Sequence, residues 1–370
     1  MATMPDAPAD PDVLIEQRCR IGLITLNRPR AINALNHGMV NEIALALEQW
    51  CTDESVHTVV LTGSGDRGLC AGGDVVAIYR DALAASQGQG GGEAVRFWRD
   101  EYVLDAAIAR YPKPVVALMD GIVLGGGIGL AAHASHRIVT ETSSLGLPET
   151  TIGFVPDVGG TYLLSRAPGQ LGTHLALTAG SIDGATAIAL GFADRMIVRD
   201  DIPKLIDTLT DAPKLSRGDV DEAIDLFAIE PPTSALLADR VWIDDAYSAE
   251  TVSEILDRLG ALGTLEAAFA AETILRKSPT AVSVTLESLR RAAHLGSLEE
   301  VLDQEFRVST RSLHWPDIVE GIRAQVVDKD RNPQWNPARL NEVELAMIEA
   351  CFASLGAAEL GLSKRKPTRP

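Results

Sequence analysis

Glu149 and Asp157 are the two side chains whose setting suits acid–base or nucleophilic chemistry. Glu149 lies in Leu147-Pro148-Glu149-Thr150 and Asp157 in Val155-Pro156-Asp157-Val158-Gly159-Gly160, both loop-type contexts. Just upstream, a β-type run, Pro114–Met119, turns at Asp120-Gly121 and reaches Gly125, Gly126 and Gly127. These glycines open a small-residue segment, Ile128–Ala134, that reads as a helix. A glycine turn at a helix start leaves backbone N–H groups unpaired and aimed outward, where they favour negative charge. Gly68-Leu69-Cys70-Ala71-Gly72-Gly73-Asp74 is a second such turn, between a strand at Thr58–Leu61 and a helical Val75–Leu83. Two donors from separate segments suit one acyl oxygen, which gains charge as a thioester carbonyl is attacked or enolised. Pattern alone leaves the alternatives open: tight turns without a ligand, or two turns unrelated to each other. The glycine spacing is neither a dinucleotide fingerprint nor a phosphate loop. By type and position Asp74 reads as a cap for the following helix, and Glu101 as a solvated helix carboxylate.

The elements that must position these groups alternate between strand and helix. Arg20–Leu26 is β-type and stops before Pro29. Asn36 caps a helix through Trp50, with Met39, Ile43, Leu47 and Trp50 on one face. Ser86–Gly92 has linker chemistry, and Glu93 starts an amphipathic helix to about Arg110. Arg137–Glu141 is a strand, and Gly160–Ser165, Gly169–Ala179 and Asp183–Leu190 are helices, the last closed by Gly191. Asp194–Val198 is a short strand. This alternation predicts an α/β domain over residues 13–200. Beyond it come amphipathic patterns at Ile202–Leu209, Val220–Ala228, Ala235–Ala246, Thr251–Leu259, Thr264–Arg276, Thr280–Ala293 and Leu298–Leu313. They predict a helical region, 201–345, with a surface loop from Val327 to Pro337. A C-terminal extension, 346–370, ends in a basic tail, Ser363–Pro370, that reads as solvated and disordered.

Composition narrows the partners. The chain of 370 residues carries a formal net charge of −18, which disfavours nucleic acid, whose phosphates need a basic face. No apolar run is long enough to span a bilayer. Cys19, Cys51, Cys70 and Cys351 are scattered without a C-x-x-C pair, so neither a zinc site nor a disulfide framework is expected. The first residues, rich in Pro and Asp, lack the basic and apolar blocks of a targeting segment, which makes the cytoplasm the expected compartment.

Cys70-Ala71-Gly72-Gly73-Asp74, the Asp120-Gly121 to Gly127 turn and Leu147–Gly153 resemble the crotonase (enoyl-CoA hydratase/isomerase) superfamily. Pro156–Tyr162, Phe97 with Asp100-Glu101-Tyr102, Ser278-Pro279-Thr280 and Val327–Asp330 with Pro333 resemble its 3-hydroxyisobutyryl-CoA hydrolase branch, over about Cys19–Val343. The resemblance implies a spiral of strand-strand-helix repeats with two roughly perpendicular sheets, followed by a helical C-terminal region. It implies an oxyanion hole from the N–H groups of Gly73 and Gly126, with Glu149 as main catalytic carboxylate and Asp157 as its partner. Glu101 would touch the acyl part of the substrate, Ala71 and Gly72 would lie along the CoA arm, and Asp74 would border it. Enoyl-CoA hydratases carry a first catalytic glutamate two positions after the glycine triplet, where this chain has Gly129. Water addition by two glutamates is therefore disfavoured, and thioester hydrolysis by Glu149 with Asp157 is expected. CoA enters as part of the substrate; no metal or separate cofactor is expected. The alternatives are a hydratase or isomerase using Glu149 alone, and an inert acyl-CoA-binding protein. Members of the superfamily are often trimers or hexamers, so a homo-oligomer is an open expectation.

Overall fold

Nearly continuous apolar runs, whose side chains point alternately to the two faces, build the central sheet of the computed structural model, which describes residues 10–89 and 92–364. Residues 1–9, part of the expected linker, and the tail from residue 365 lie outside the described residues. The strands are β1 (Val13–Arg18), β2 (Ile21–Leu26), β3 (Thr58–Gly63), β4 (Val115–Met119), β5 (Ile122–Leu124), β6 (His136–Val139), β7 (Ser144–Gly146), β8 (Ser181–Asp183), β9 (Arg195–Ile197) and β10 (Ala228–Ile229). Seven form one sheet in the order β1-β2-β3-β4-β6-β9-β10, parallel from β2 to β9 and antiparallel at both edges. The other three form a smaller sheet, β5-β7-β8. Two sheets and a mainly helical C-terminal part agree with the expected architecture.

The large sheet is buried on both faces, as parallel sheets generally are. Leu26, Leu61, Ala117 and Val139 face the main core with α1 (His37–Thr52). Ile21, Leu23, Val60, Val116, Leu118 and Ile138 face the other way, onto Leu205, Leu209, Val220 and Ile224. Those four belong to helices Ile202–Asp211 and Arg217–Asp225, and β10 follows them to pair with β9. Packing therefore does not break at residue 200: the first two helices beyond it cover the second face of the sheet, and the chain then extends its edge.

Local chemistry sets the helix starts. The Asn36 side chain accepts from Met39 N at 2.9 Å, capping α1 as expected. Asp183, Ser278 and Ser297 cap their helices in the same way. α2 (Val75–Ser86) reaches into the expected linker, and α3 (Glu93–Ala109) follows. α4 (Gly126–Ala132) is short and wholly buried. The Ala235–Ala246 pattern resolves into a 3₁₀ turn, Leu236–Asp239, and a helix, Arg240–Tyr247. A helix at Pro316–Ile322 continues as a π-type turn, Arg323–Val327, where a loop was expected to begin.

Candidate active site

The two glycine turns meet because of strand register. Cys70 bridges Val123 in parallel fashion, with Cys70 N donating to Ile122 O at 3.1 Å and Leu124 N to Cys70 O at 2.9 Å. Three residues further along each chain stand Gly73 and Gly126, side by side. A Cβ built on Gly126 would lie 3.4 Å from Gly73 N and 2.5 Å from Glu101 Oε1. Gly125, with φ at +48°, takes a backbone conformation that glycine adopts freely, and a Cβ there would lie 2.9 Å from Glu149 Oε1. Neither Gly73 N nor Gly126 N donates to a protein acceptor among the described residues. Gly126 begins α4, so its N–H also carries the helix's positive end.

Around this point lies a cavity of about 260 Å³ lined by Ala71, Gly72, Gly73, Glu101, Gly126, Glu149 and Asp157, among others. Seven of the eight residues expected at the site thus come together. Asp74 is the exception in position. It lines an adjoining hollow with His37 and Phe97, and its carboxylate faces Arg28 at 3.5 Å. Turned that way, it makes no capping bond to α2, so its expected cap role is not realised. Glu101 is not a solvated helix carboxylate: it is 2% exposed and its Oε1 has no partner among the described residues.

Three carboxyl groups in one apolar cavity cannot all hold full charge. Burial, then the nearby Asp157 charge, pushes both Glu149 and Glu101 well above the usual carboxylate range. Burial also lifts Asp157, to about 7, against a hydrogen bond from Tyr102 that favours its ionised form. Tyr102 Oη donates to Asp157 Oδ2 at 2.6 Å and lies 2.8 Å from Ser309 Oγ. The Oε2 of Glu149 is buried without a partner among the described residues, so the group has a lone pair free for a substrate or water. Cys70, beside the site, is no nucleophile: burial holds its thiol at about 12.

The Asp157 loop is held in a strained shape. Val158, a β-branched residue, sits at φ +54°, and such strain persists only where the surroundings fix it. His133 hydrogen-bonds Val158 O at 2.9 Å. Glu305, on helix Leu298–Ser312, accepts from Gly159 N at 2.7 Å, Thr161 N at 2.9 Å and Thr161 Oγ1 at 2.6 Å. Burial raises Glu305 to about 8 in spite of those bonds.

Asp105 and Glu305 are residues that reading the sequence missed, and Tyr102 is named there only as part of a motif, without its bond to Asp157. Asp105 is fully buried, neither oxygen has a hydrogen-bond partner among the described residues, and both lie 2.8 Å from where a Cβ on Gly129 would stand. Its carboxyl thus fills the space a side chain at 129 would enter. Burial, then the Glu101 charge, drives its pKa well up. The available signal was the i, i+4 placement of Glu101 and Asp105 on the face of α3 that carries Trp98 and Tyr102. Among the described residues no group of three His, Cys, Asp or Glu side chains is placed to hold a metal ion, and no helix is long and apolar enough to cross a membrane.

The profile described as enoyl-CoA hydratase/isomerase matches residues 21–352. The mitochondrial 3-hydroxyisobutyryl-CoA hydrolase of Danio rerio is 37% identical over 365 residues, 97% of this chain and 94% of that protein. That relative's name gives no support to the cytoplasmic expectation. A solved structure of a carnitinyl-CoA dehydratase from Mycobacterium thermoresistibile superposes with a TM-score of 0.90 at 52% identity, covering 96% of this chain and 100% of that one. An enoyl-CoA hydratase from Rhodobacter sphaeroides gives a TM-score of 0.87 at 41% identity, over 95% and 99% of the two chains.

Proposed function

The chain belongs to the enoyl-CoA hydratase/isomerase family, and we propose that it hydrolyses the thioester of 3-hydroxyisobutyryl-CoA to 3-hydroxyisobutyrate and free CoA. One observation carries the reading: two unpaired N–H groups, on Gly73 and Gly126, stand together beside Glu149. The carbonyl oxygen of the thioester lies between these donors. As the carbonyl carbon becomes tetrahedral, charge grows on that oxygen, and each donor contributes about 3 kcal/mol to the transition state.

Two routes use Glu149. In one, its carboxylate attacks the carbonyl carbon, the C–S bond breaks, the thiolate takes a proton, and water then opens the mixed anhydride. In the other, Glu149 takes a proton from a water that attacks directly. Asp157 either binds the substrate hydroxyl or places the water and supplies the proton to the thiolate. With a pKa lifted to about 7, it can hold a proton or lose one near neutral pH. CoA is part of the substrate, and the backbone supplies the electrophilic assistance without a separate cofactor. Turnover in oxygen-18 water followed by mass spectrometry of the protein separates the routes: label on Glu149 marks the anhydride.

The structural neighbours described as a dehydratase and a hydratase favour a second reading, addition or removal of water across a double bond. Against it, position 129 is glycine and the space beside it is taken by the Asp105 carboxyl. Free-thiol release from 3-hydroxyisobutyryl-CoA, compared with hydration of crotonyl-CoA, decides between them. Thiol release faster than hydration is expected; the reverse supports the second reading. Tight binding of both thioesters with no turnover marks an inert acyl-CoA-binding protein.

A further inference from the structure

One wall of the cavity is apolar and comes from a part of the chain that carries none of the catalytic groups. Helix Pro316–Ile322 and the π-type turn Arg323–Val327 present Ile318, Ile322, Gln325 and Val326 to it. Ile318 and Ile322 are 1% and 0% exposed, so they pack inward. A single widened turn in a helix re-aims the side chains that follow it, and here it brings Gln325 and Val326 onto the same wall.

This wall is fixed to the turn that bears Glu149. A Cβ on Gly321 would lie 2.3 Å from the Ile152 carbonyl carbon, and one on Gly153 would lie 2.1 Å from Asp317 O. Backbone therefore touches backbone at two places, where no side chain is available to give way. The Asp317 carboxylate accepts from Ser278 Oγ and, at 2.7 Å, from Asn336 N. On the far side Arg323 meets Glu320 at 2.8 Å, Asp328 at 2.7 Å and Asp330 at 2.6 Å. The wall is held from both ends and cannot retreat for a larger ligand without breaking these contacts.

The cavity, open on one side, has a volume of about 260 Å³, below the ~300–1,000 Å³ typical of sites for drug-sized ligands. Part of it must take the thioester itself. We propose that Ile322, backed by Ile318, is the residue that limits acyl length, restricting this site to short acyl groups and excluding fatty chains. The proposal rests on the acyl-CoA reading of the cavity. Each methylene accommodated or refused in an apolar pocket changes kcat/KM by roughly 10- to 200-fold, so removing one side chain from a rigid wall has a readable effect.

The test compares 3-hydroxyisobutyryl-CoA with 3-hydroxyoctanoyl-CoA in the wild type, Ile322→Ala and the milder Ile322→Val, each checked by thermal melting. The wild type is expected to prefer the short thioester by at least ~10-fold in kcat/KM. Ile322→Ala is expected to raise kcat/KM for the long thioester in absolute terms and to shrink the preference by ~10-fold or more, with Ile322→Val shifting it less in the same direction. A folded Ile322→Ala or Ile322→Val with the wild-type preference overturns the proposal, as does a wild type without preference. If neither thioester is cleaved by the wild type, hydrolysis is the reading that fails. The ratio of the two Kd values by calorimetry then decides the wall: a ratio shifted by Ile322→Ala supports it, and an unchanged ratio overturns it.

Discussion

Replacing Gly126 by alanine tests the oxyanion hole with the smallest possible change. The added methyl carbon would stand 3.4 Å from Gly73 N, 3.1 Å from Leu35 Cδ1 and 2.5 Å from Glu101 Oε1. It would occupy the place assigned to the thioester oxygen. Loss of even one donor costs about 2.7–4 kcal/mol, or ~100- to 1,000-fold in kcat, and displacement from both costs more. The fold should survive. Gly126 is the first residue of α4 and its φ lies outside the left-handed region, so alanine is compatible with the backbone. Glu101 and Leu35 meet the methyl with the ends of flexible side chains, at an overpacking cost of about 1–3 kcal/mol. The assay is free-thiol release, with a thermal melt to confirm folding. Gly218→Ala is the control: among the described residues, no heavy atom outside its own stretch of helix lies within 4 Å of its added Cβ. A folded Gly126→Ala enzyme within about threefold of wild-type kcat/KM would refute the placement of the oxygen.

Three further outcomes follow from the same geometry. Glu149→Gln should lower kcat for thiol release by ~100- to 10,000-fold, and Asp157→Asn should also slow it; near-normal turnover in either removes that residue from the chemistry. Stability should fall as pH rises from about 6.5 to 8. Asp157 and Glu305, raised to about 7 and about 8, keep protons in the folded state that the unfolded chain has lost, at a slope of about 1.4 kcal/mol per pH unit for each proton held. His133 and His174, both lowered to about 4, act in the opposite sense only below the ordinary histidine range. Denaturant midpoints that rise across this window contradict the buried-acid account. Asp105→Asn removes one such proton-holding group, so the variant should gain stability over wild type as pH rises above the unfolded value of 3.8. A variant-minus-wild-type difference in denaturant midpoint that is the same at pH 5 and pH 8 would show that Asp105 is not held protonated.

Much of the site was legible in the sequence because its pieces are local. Glycine turns after strands, a Leu-Pro-Glu-Thr loop and a Pro-Asp-Val-Gly-Gly loop each announce themselves within a few residues. What joins them is not local. The parallel bridge of Cys70 to Val123 rests on an isolated pairing between segments too short to carry a β signal. The three strands of the small sheet have three residues each, below any usable periodicity. β1 escaped notice for a different reason: it is an edge strand, with Glu16, Gln17 and Arg18 exposed and only Val13 buried. Glu305 supports the Asp157 loop from helix Leu298–Ser312, far along the chain, and reads there as one more acid in an amphipathic pattern. Read from pattern alone, Glu101 passes for an ordinary solvated helix carboxylate; the family resemblance places it at the site, and within α3 only its neighbours Trp98 and Tyr102 mark that face as inward.

The most direct test is a crystal structure with a ketone analogue of 3-hydroxyisobutyryl-CoA, in which a methylene replaces the thioester sulfur and the carbonyl oxygen is kept. That oxygen should lie about 2.7–3.1 Å from both Gly73 N and Gly126 N, with a Glu149 oxygen facing the carbonyl carbon. An oxygen bound by neither nitrogen, or a Glu149 carboxyl turned away from the carbonyl, would contradict the account.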